Sequence, residues 1–117
     1  MNKLREIREE EILLIKFLLS KANLLESELV INGLVDDYEG GVMGSIGLGN
    51  ETAEYAGDII QAEYFDIDNV PVVITLTKDT QNQLLDLDFW KTDFSKLQVY
   101  PVPEKLIFKE NYTPSFE

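Results

Sequence analysis

The sequence predicts a two-layer α+β domain in which one N-terminal helix packs on a mainly antiparallel, meander-like sheet. Three observations lead there. Residues 9–22 carry apolar side chains at helical spacing, and no second stretch of that kind follows. From residue 29 onward the apolar period shortens to two, punctuated by Asn, Asp, Gly and Pro. The 117 residues, 44% of them hydrophobic, suffice for one core and not for two. Residues 1–109 therefore read as a single domain, and 110–117, with Pro114, as a loose tail.

The helix comes first. Glu9, Glu10 and Glu11 complement the positive end of a helix dipole, and Asn23 offers a left-handed stop after Ala22. Arg8 is a poor N-cap, so an earlier start stays open. Ile12, Leu14, Ile15, Leu18 and Leu19 form one broad face, whereas Leu13 and Phe17 lie off it and need either a covering loop or a second subunit.

Leu29-Val30-Ile31 reads as a short strand and Asp36-Asp37-Tyr38-Glu39-Gly40-Gly41 as a polar turn. Ser45-Ile46-Gly47-Leu48 is a weaker, glycine-broken strand, and residues 51–58 fit a loop or one helical turn equally. Residues 59–65 form the next strand, Asp66-Ile67-Asp68-Asn69 a turn, and residues 72–77 a strand with Val72, Ile74 and Leu76 on one face. Pro71 fits only a strand's first residue or an edge. Lys78-Asp79-Thr80-Gln81-Asn82 turns the chain into the most strongly patterned strand, 84–91. Its alternation sends Leu85, Leu87 and Phe89 to the core and Asp86, Asp88 and Trp90 to the opposite face. Phe94 and Leu97 follow closely and either cover Trp90 or leave it bare. Pro101 and Pro103 hold the chain extended toward a last edge strand at Leu106-Ile107-Phe108.

Charge and composition exclude more than they assign. With 22 acidic against 10 basic residues the net charge is -12, which disfavours nucleic acid and anionic membrane and favours a basic protein partner. Cys and His are both absent, which removes disulfides, thiolate chemistry, Ser-His-Asp triads and ordinary zinc sites. No apolar run reaches the length of a membrane span, so the cytoplasm is the expected compartment.

Four motifs tempt a ligand and fall short. Gly40-Gly41-Val42-Met43-Gly44-Ser45 lacks the Lys a phosphate loop needs before its Ser, and Gly47-Leu48-Gly49 meets Thr52 where a dinucleotide fingerprint needs Gly. Asp66-Ile67-Asp68 opens like an EF-hand, but Pro71 and Thr77 stand where Gly and a bidentate Glu are required. Asp86 and Asp88 lie roughly 7 Å apart along one strand face, a spacing common to any D-x-D strand, with nothing to raise either pKa. No cofactor and no metal follow from these patterns.

The Glu-rich helix with Leu14-Ile15 and Leu18-Leu19, the Gly40-Gly41-Val42-Met43-Gly44-Ser45-Ile46 loop, Asp66-Ile67-Asp68 and the stretch Leu85-Asp86-Leu87-Asp88-Phe89-Trp90-Lys91-Thr92-Asp93-Phe94-Ser95-Lys96-Leu97 together resemble a family of small uncharacterised bacterial proteins. The resemblance implies no activity and brings no catalytic residues; in size and charge such proteins are similar to immunity proteins that neutralise toxins.

The expected function is a non-enzymatic interaction domain whose Asp86, Asp88 and Trp90 face engages a basic protein, an immunity-type inhibitor being one form of it. The alternatives are an oxygen-ligand metal or small-ligand enzyme using Asp36, Asp37, Glu39, Asp66 or Asp68, and a homodimer formed through Leu13 and Phe17.

Overall fold

The structure, a computed structural model, describes residues 4–24, 29–38, 43–49 and 52–108. It consists of β1 (Leu4–Glu6), α1 (Glu9–Lys21), β2 (Leu34–Asp37), β3 (Ile46–Gly47), β4 (Tyr55–Phe65), β5 (Pro71–Asp79) and β6 (Leu84–Lys91), followed by a 3-10 turn at Pro103–Lys105. The strands form one antiparallel sheet in the order β1-β2-β3-β6-β5-β4. The architecture is the expected α+β, two-layer one, with α1 on one face of the sheet.

The helix forms where the periodicity places it. Its N-cap, Arg8, has no side-chain cap; instead the Glu11 carboxylate turns back to accept the Arg8 amide at 2.8 Å. The helix ends at Lys21 and the chain leaves through Asn23 at φ 60°, the left-handed stop the sequence offers. Leu14, Ile15, Leu18 and Leu19 are fully buried, and the sheet meets them with Val35, Ile46, Ile74, Leu76, Leu87 and Phe89. Asn69 (φ 66°) and Asn82 (φ 61°) supply the left-handed residues of the two hairpin turns, and Pro71 is the first residue of β5.

Several boundaries differ from expectation. β1 has no counterpart in the sequence reading, because three residues are too few to display a period. Residues 29–31 are not a strand, and Val30 is 65% exposed. The strand comes later, as β2, so Asp36 and Asp37 are paired strand residues rather than a turn. Glu39, Gly40 and Gly41 lie outside the described residues, as does the tail from 109 on. Tyr55 to Asp58 belong to β4, and Lys78 and Asp79 to β5. The expected last strand is a single bridge between Ile107 and Glu63.

One correction concerns the central strand. The β5–β6 register slips between the pairs Leu76–Leu87 and Lys78–Leu84, so two residues of β6, Leu85 and Asp86, stand opposite Thr77. This bulge makes Leu84 the buried residue, at 2% exposure, and turns Leu85 to the other face. Leu87 and Phe89 stay in the core as expected.

Phe17 and Leu13 divide. Phe17 packs against Phe108 at a ring separation of 6.3 Å, with the Lys21 ammonium over both rings, so the C-terminal segment supplies the covering loop. Leu13 remains exposed.

Candidate functional site

Strand phase decides which side chains face the helix and which face away. On the helix side, charges are neutralised. Arg5 of β1 forms bidentate pairs with Glu11 (3.0 and 2.7 Å) and Asp37 (2.7 and 2.8 Å), tying β1, α1 and β2 together. The Arg5 hydrogen bond holds the Asp37 carboxyl below the usual carboxylate range.

Lys91 ends β6 in the phase of Leu87 and Phe89 and is fully buried. Its ammonium reaches Asp66 at 2.9 Å, Asp68 at 2.7 Å and the Lys96 carbonyl at 3.1 Å. Asp66 also accepts the amides of Ile67, Gln98 and Val99 at 2.8 to 3.0 Å. Burial pushes the Asp66 carboxyl upward, but these hydrogen bonds outweigh it and leave the group below its ordinary value. Burial likewise opposes the charge on Lys91, and the bonds to Asp68 and Asp66 overcome it and raise its pKa. This cluster clamps the segment after β6, which carries Phe94, onto the β4–β5 turn.

Among the described residues the opposite face has no helix over it, and it is differently charged. By register it presents Leu4, Asp36, Gly47, Asp86, Thr77 and Asp58 across one row, Asp88, Thr75 and Gln61 across the next, and Trp90, Val73 and Glu63 across a third. The strand-borne cations Arg5, Lys78 and Lys91 all take the phase of the helix side. Among the described residues this face therefore carries carboxylates from β2, β4 and β6 and no Lys or Arg from any strand.

Asp86, Asp88 and Trp90 thus lie together on that face, as the alternation of β6 requires. The Asp86 carboxylate accepts the Tyr38 hydroxyl, and Asp88 accepts the Ser45 hydroxyl at 3.3 Å. Trp90 is 47% exposed; its ring meets Phe94 at a centroid separation of 6.4 Å, yet Phe94 is itself 73% exposed. Phe94 accompanies Trp90 without covering it. The Phe94 backbone also sits in the left-handed region, at φ 63°, where a bulky residue is strained.

Beside Asp86 the face sinks into a groove of about 940 Å³ lined by Leu4, Asp36, Tyr38, Gly47, Tyr55, Leu85 and neighbouring backbone. Gly47 makes it possible, because a Cβ at that position would lie 2.6 Å from the Tyr38 hydroxyl oxygen. Without a side chain there, Tyr38 crosses the sheet to Asp86; burial first and that hydrogen bond second push its phenol well above the ordinary range.

Of the acids considered for a metal site only Asp66 and Asp68 are brought together, and both are held by the Lys91 ammonium. Asp37 is held by Arg5 on the helix side, Asp36 faces the groove, and Glu39 lies outside the described residues. Among the described residues no group of three or more metal-ligating side chains converges. Two residues here carry little local signal in the sequence: Tyr38, whose partner lies 48 residues away, and Lys91, marked only by its position in the apolar phase of β6.

Fold and surface together define a class: a small α+β domain with one neutralised, helix-covered sheet face and one acidic face left open. The chain belongs to the family described as domain of unknown function DUF6984, whose family model matches residues 4–101. No curated protein and no solved structure matches it. Among the described residues no helix is long and apolar enough to cross a membrane.

Proposed function

We propose that the chain is a protein-binding domain whose open sheet face docks a basic partner protein. The observation that carries this reading is the segregation of charge: every strand-borne cation sits on the helix side, while Asp36, Asp58, Asp86, Asp88 and Glu63 share the open side with Trp90. Random placement of solvating acids gives no reason for such a division. A uniformly negative face attracts and orients a positive one and repels like-charged competitors.

Trp90 and Phe94 support the same reading. Large aromatic side chains left as exposed as Trp90 and Phe94 have the character of interface anchors, which bury on binding and exclude water from nearby charge pairs. Phe94 adds backbone strain to exposure, a combination that folding alone does not reward. The Lys91 clamp holds that loop in place before the partner arrives, which lowers the ordering cost of association. Inhibition of a basic toxin-like protein is one role this chemistry serves.

Photocross-linking tests the reading. With p-benzoylphenylalanine at position 94 in the organism of origin, a discrete adduct with a protein of high isoelectric point is expected, diminished by high salt. Adducts confined to acidic proteins, or none at all, contradict the reading.

A further inference from the structure

The groove beside Asp86 differs in kind from the flat surface around Trp90. Its rims are apolar: Leu4 and Tyr55 are 58% and 56% exposed, and Leu85 is turned into it by the bulge in β6. Its polar floor consists of the Asp36 and Asp86 carboxylates and the Tyr38 hydroxyl over Gly47. Tyr38 already occupies one oxygen of Asp86. Asp36, partly buried, receives no side-chain hydrogen bond and no ion pair among the described residues. Arg5, next to Leu4 in sequence, points to the other face, held by Glu11 and Asp37. A carboxylate on the floor of a groove, with no counter-charge among the described residues, is placed to pair with a cation brought by a partner.

We propose that this groove receives an arginine side chain of the basic partner, its guanidinium paired with Asp36 and its aliphatic stem laid along Leu85 and Tyr55. Arginine suits the chemistry better than lysine. Its planar fork pairs bidentately with a carboxylate and stacks on aromatic faces, and it sheds its hydration more readily than an ammonium. The groove volume of about 940 Å³ is several times that of one side chain, so it takes the arginine together with the backbone that carries it. Gly47 becomes a specificity residue in this scheme: it keeps Tyr38 flat against the sheet and so leaves space above Asp36.

The inference rests on the reading of the open face as a docking surface, and its test is separable from that one. The full chain, isotope-labelled, is titrated with acetyl-Gly-Arg-Gly-amide while the Gly47 and Gly49 amide resonances are followed; the matching citrulline and lysine peptides serve as probes of charge and shape. Saturable shifts at Gly47 and Gly49 are expected with a dissociation constant of about 1 mM, as befits one anchoring side chain, weakened about fivefold or more in Asp36→Asn. The citrulline peptide is expected to leave both resonances in place and the lysine peptide to bind more weakly. Absence of saturable shifts, shifts undiminished in Asp36→Asn, or equal response to citrulline or lysine would overturn the inference. Gly47→Ala provides a second variant with a different lesion: loss of the arginine response, with the Tyr38 ring resonances displaced, is expected, and an unchanged response counts against the groove. A silent groove beside a productive cross-link at position 94 removes this inference and leaves the docking face standing.

Discussion

Replacement of Arg5 by Leu tests the energetic logic of the helix-side face. Arg5 makes charge-assisted hydrogen bonds to Glu11 and Asp37, and the two carboxylates differ sharply in exposure, at 1% and 32%. The Asp37 half is open to solvent and falls in the range of surface pairs, about 0.2–1 kcal/mol. The Glu11 half is buried, and removing the partner of a buried charge costs about 3–5 kcal/mol. Part of that cost is recovered, because the Arg8 amide still donates to Glu11 at 2.8 Å and the Arg8 guanidinium stands 3.9 Å away. The expected loss is therefore about 3 kcal/mol, a large share of the about 5–15 kcal/mol typical of a domain. In urea denaturation, with m near about 1.5 kcal/mol/M and unchanged by the substitution, the midpoint falls by about 2 M. Arg5→Leu combined with Glu11→Leu regains most of the loss, since an apolar pair of similar bulk does not strand a charge. A loss below about 0.5 kcal/mol, the range of ordinary surface substitutions, or a double variant as unstable as the single one, refutes the reasoning.

Acid titration tests the clamp around Lys91. Asp66 has its folded pKa below the ordinary 3.8, so its contribution is complete above that pH and disappears as pH falls through the folded value. Lys91, raised above 10.5, contributes fully below that pH and loses the contribution as pH rises past its folded value. Melting curves across pH are expected to decline at both ends, with Asp66→Asn less stable at neutral pH and flatter in acid; identical acid slopes in the two proteins contradict this. Leu87→Ala, at a fully buried site, should cost about 2–5 kcal/mol, whereas Trp90→Ala, at a half-exposed site, should cost less, about 1–2 kcal/mol, by the same urea assay. Phe94→Gly removes a bulky residue from left-handed backbone and is expected to hold or raise stability by about 0.5–1 kcal/mol while abolishing the cross-linked adduct from a probe at Trp90; destabilisation beyond about 1 kcal/mol shows Phe94 to be structural instead.

The helix, the β4–β6 meander and the Asp86–Trp90 face were legible because each rests on a period sustained over eight or more residues. What escaped was set by contacts distant in sequence or too short to carry a pattern. β1 exists because Arg5 finds Glu11 and Asp37, the latter 32 residues on, not because residues 4–6 look like a strand. Leu84 and Leu85 exchanged roles because a bulge opposite Thr77 resets the phase of β6, and either leucine satisfies the alternation locally. Lys91 reads as a polar strand end until Asp66 and Asp68, more than 20 residues earlier, return to meet it. The groove was hidden for the same reason: Gly47 reads as a strand weakener, and only Tyr38 lying across it shows what the missing side chain permits.

Two charge-reversed variants of equal net charge test the docking face most directly. Glu63→Lys with Asp88→Lys alters the open sheet face, and Glu9→Lys with Glu10→Lys alters the exposed start of the helix, each raising the formal charge from -12 to -8. Affinity for the partner captured through position 94 should fall about tenfold or more in the first and change about twofold or less in the second. Equal losses in both, or the greater loss in the helix variant, would show that net charge or another surface governs binding and would contradict the account.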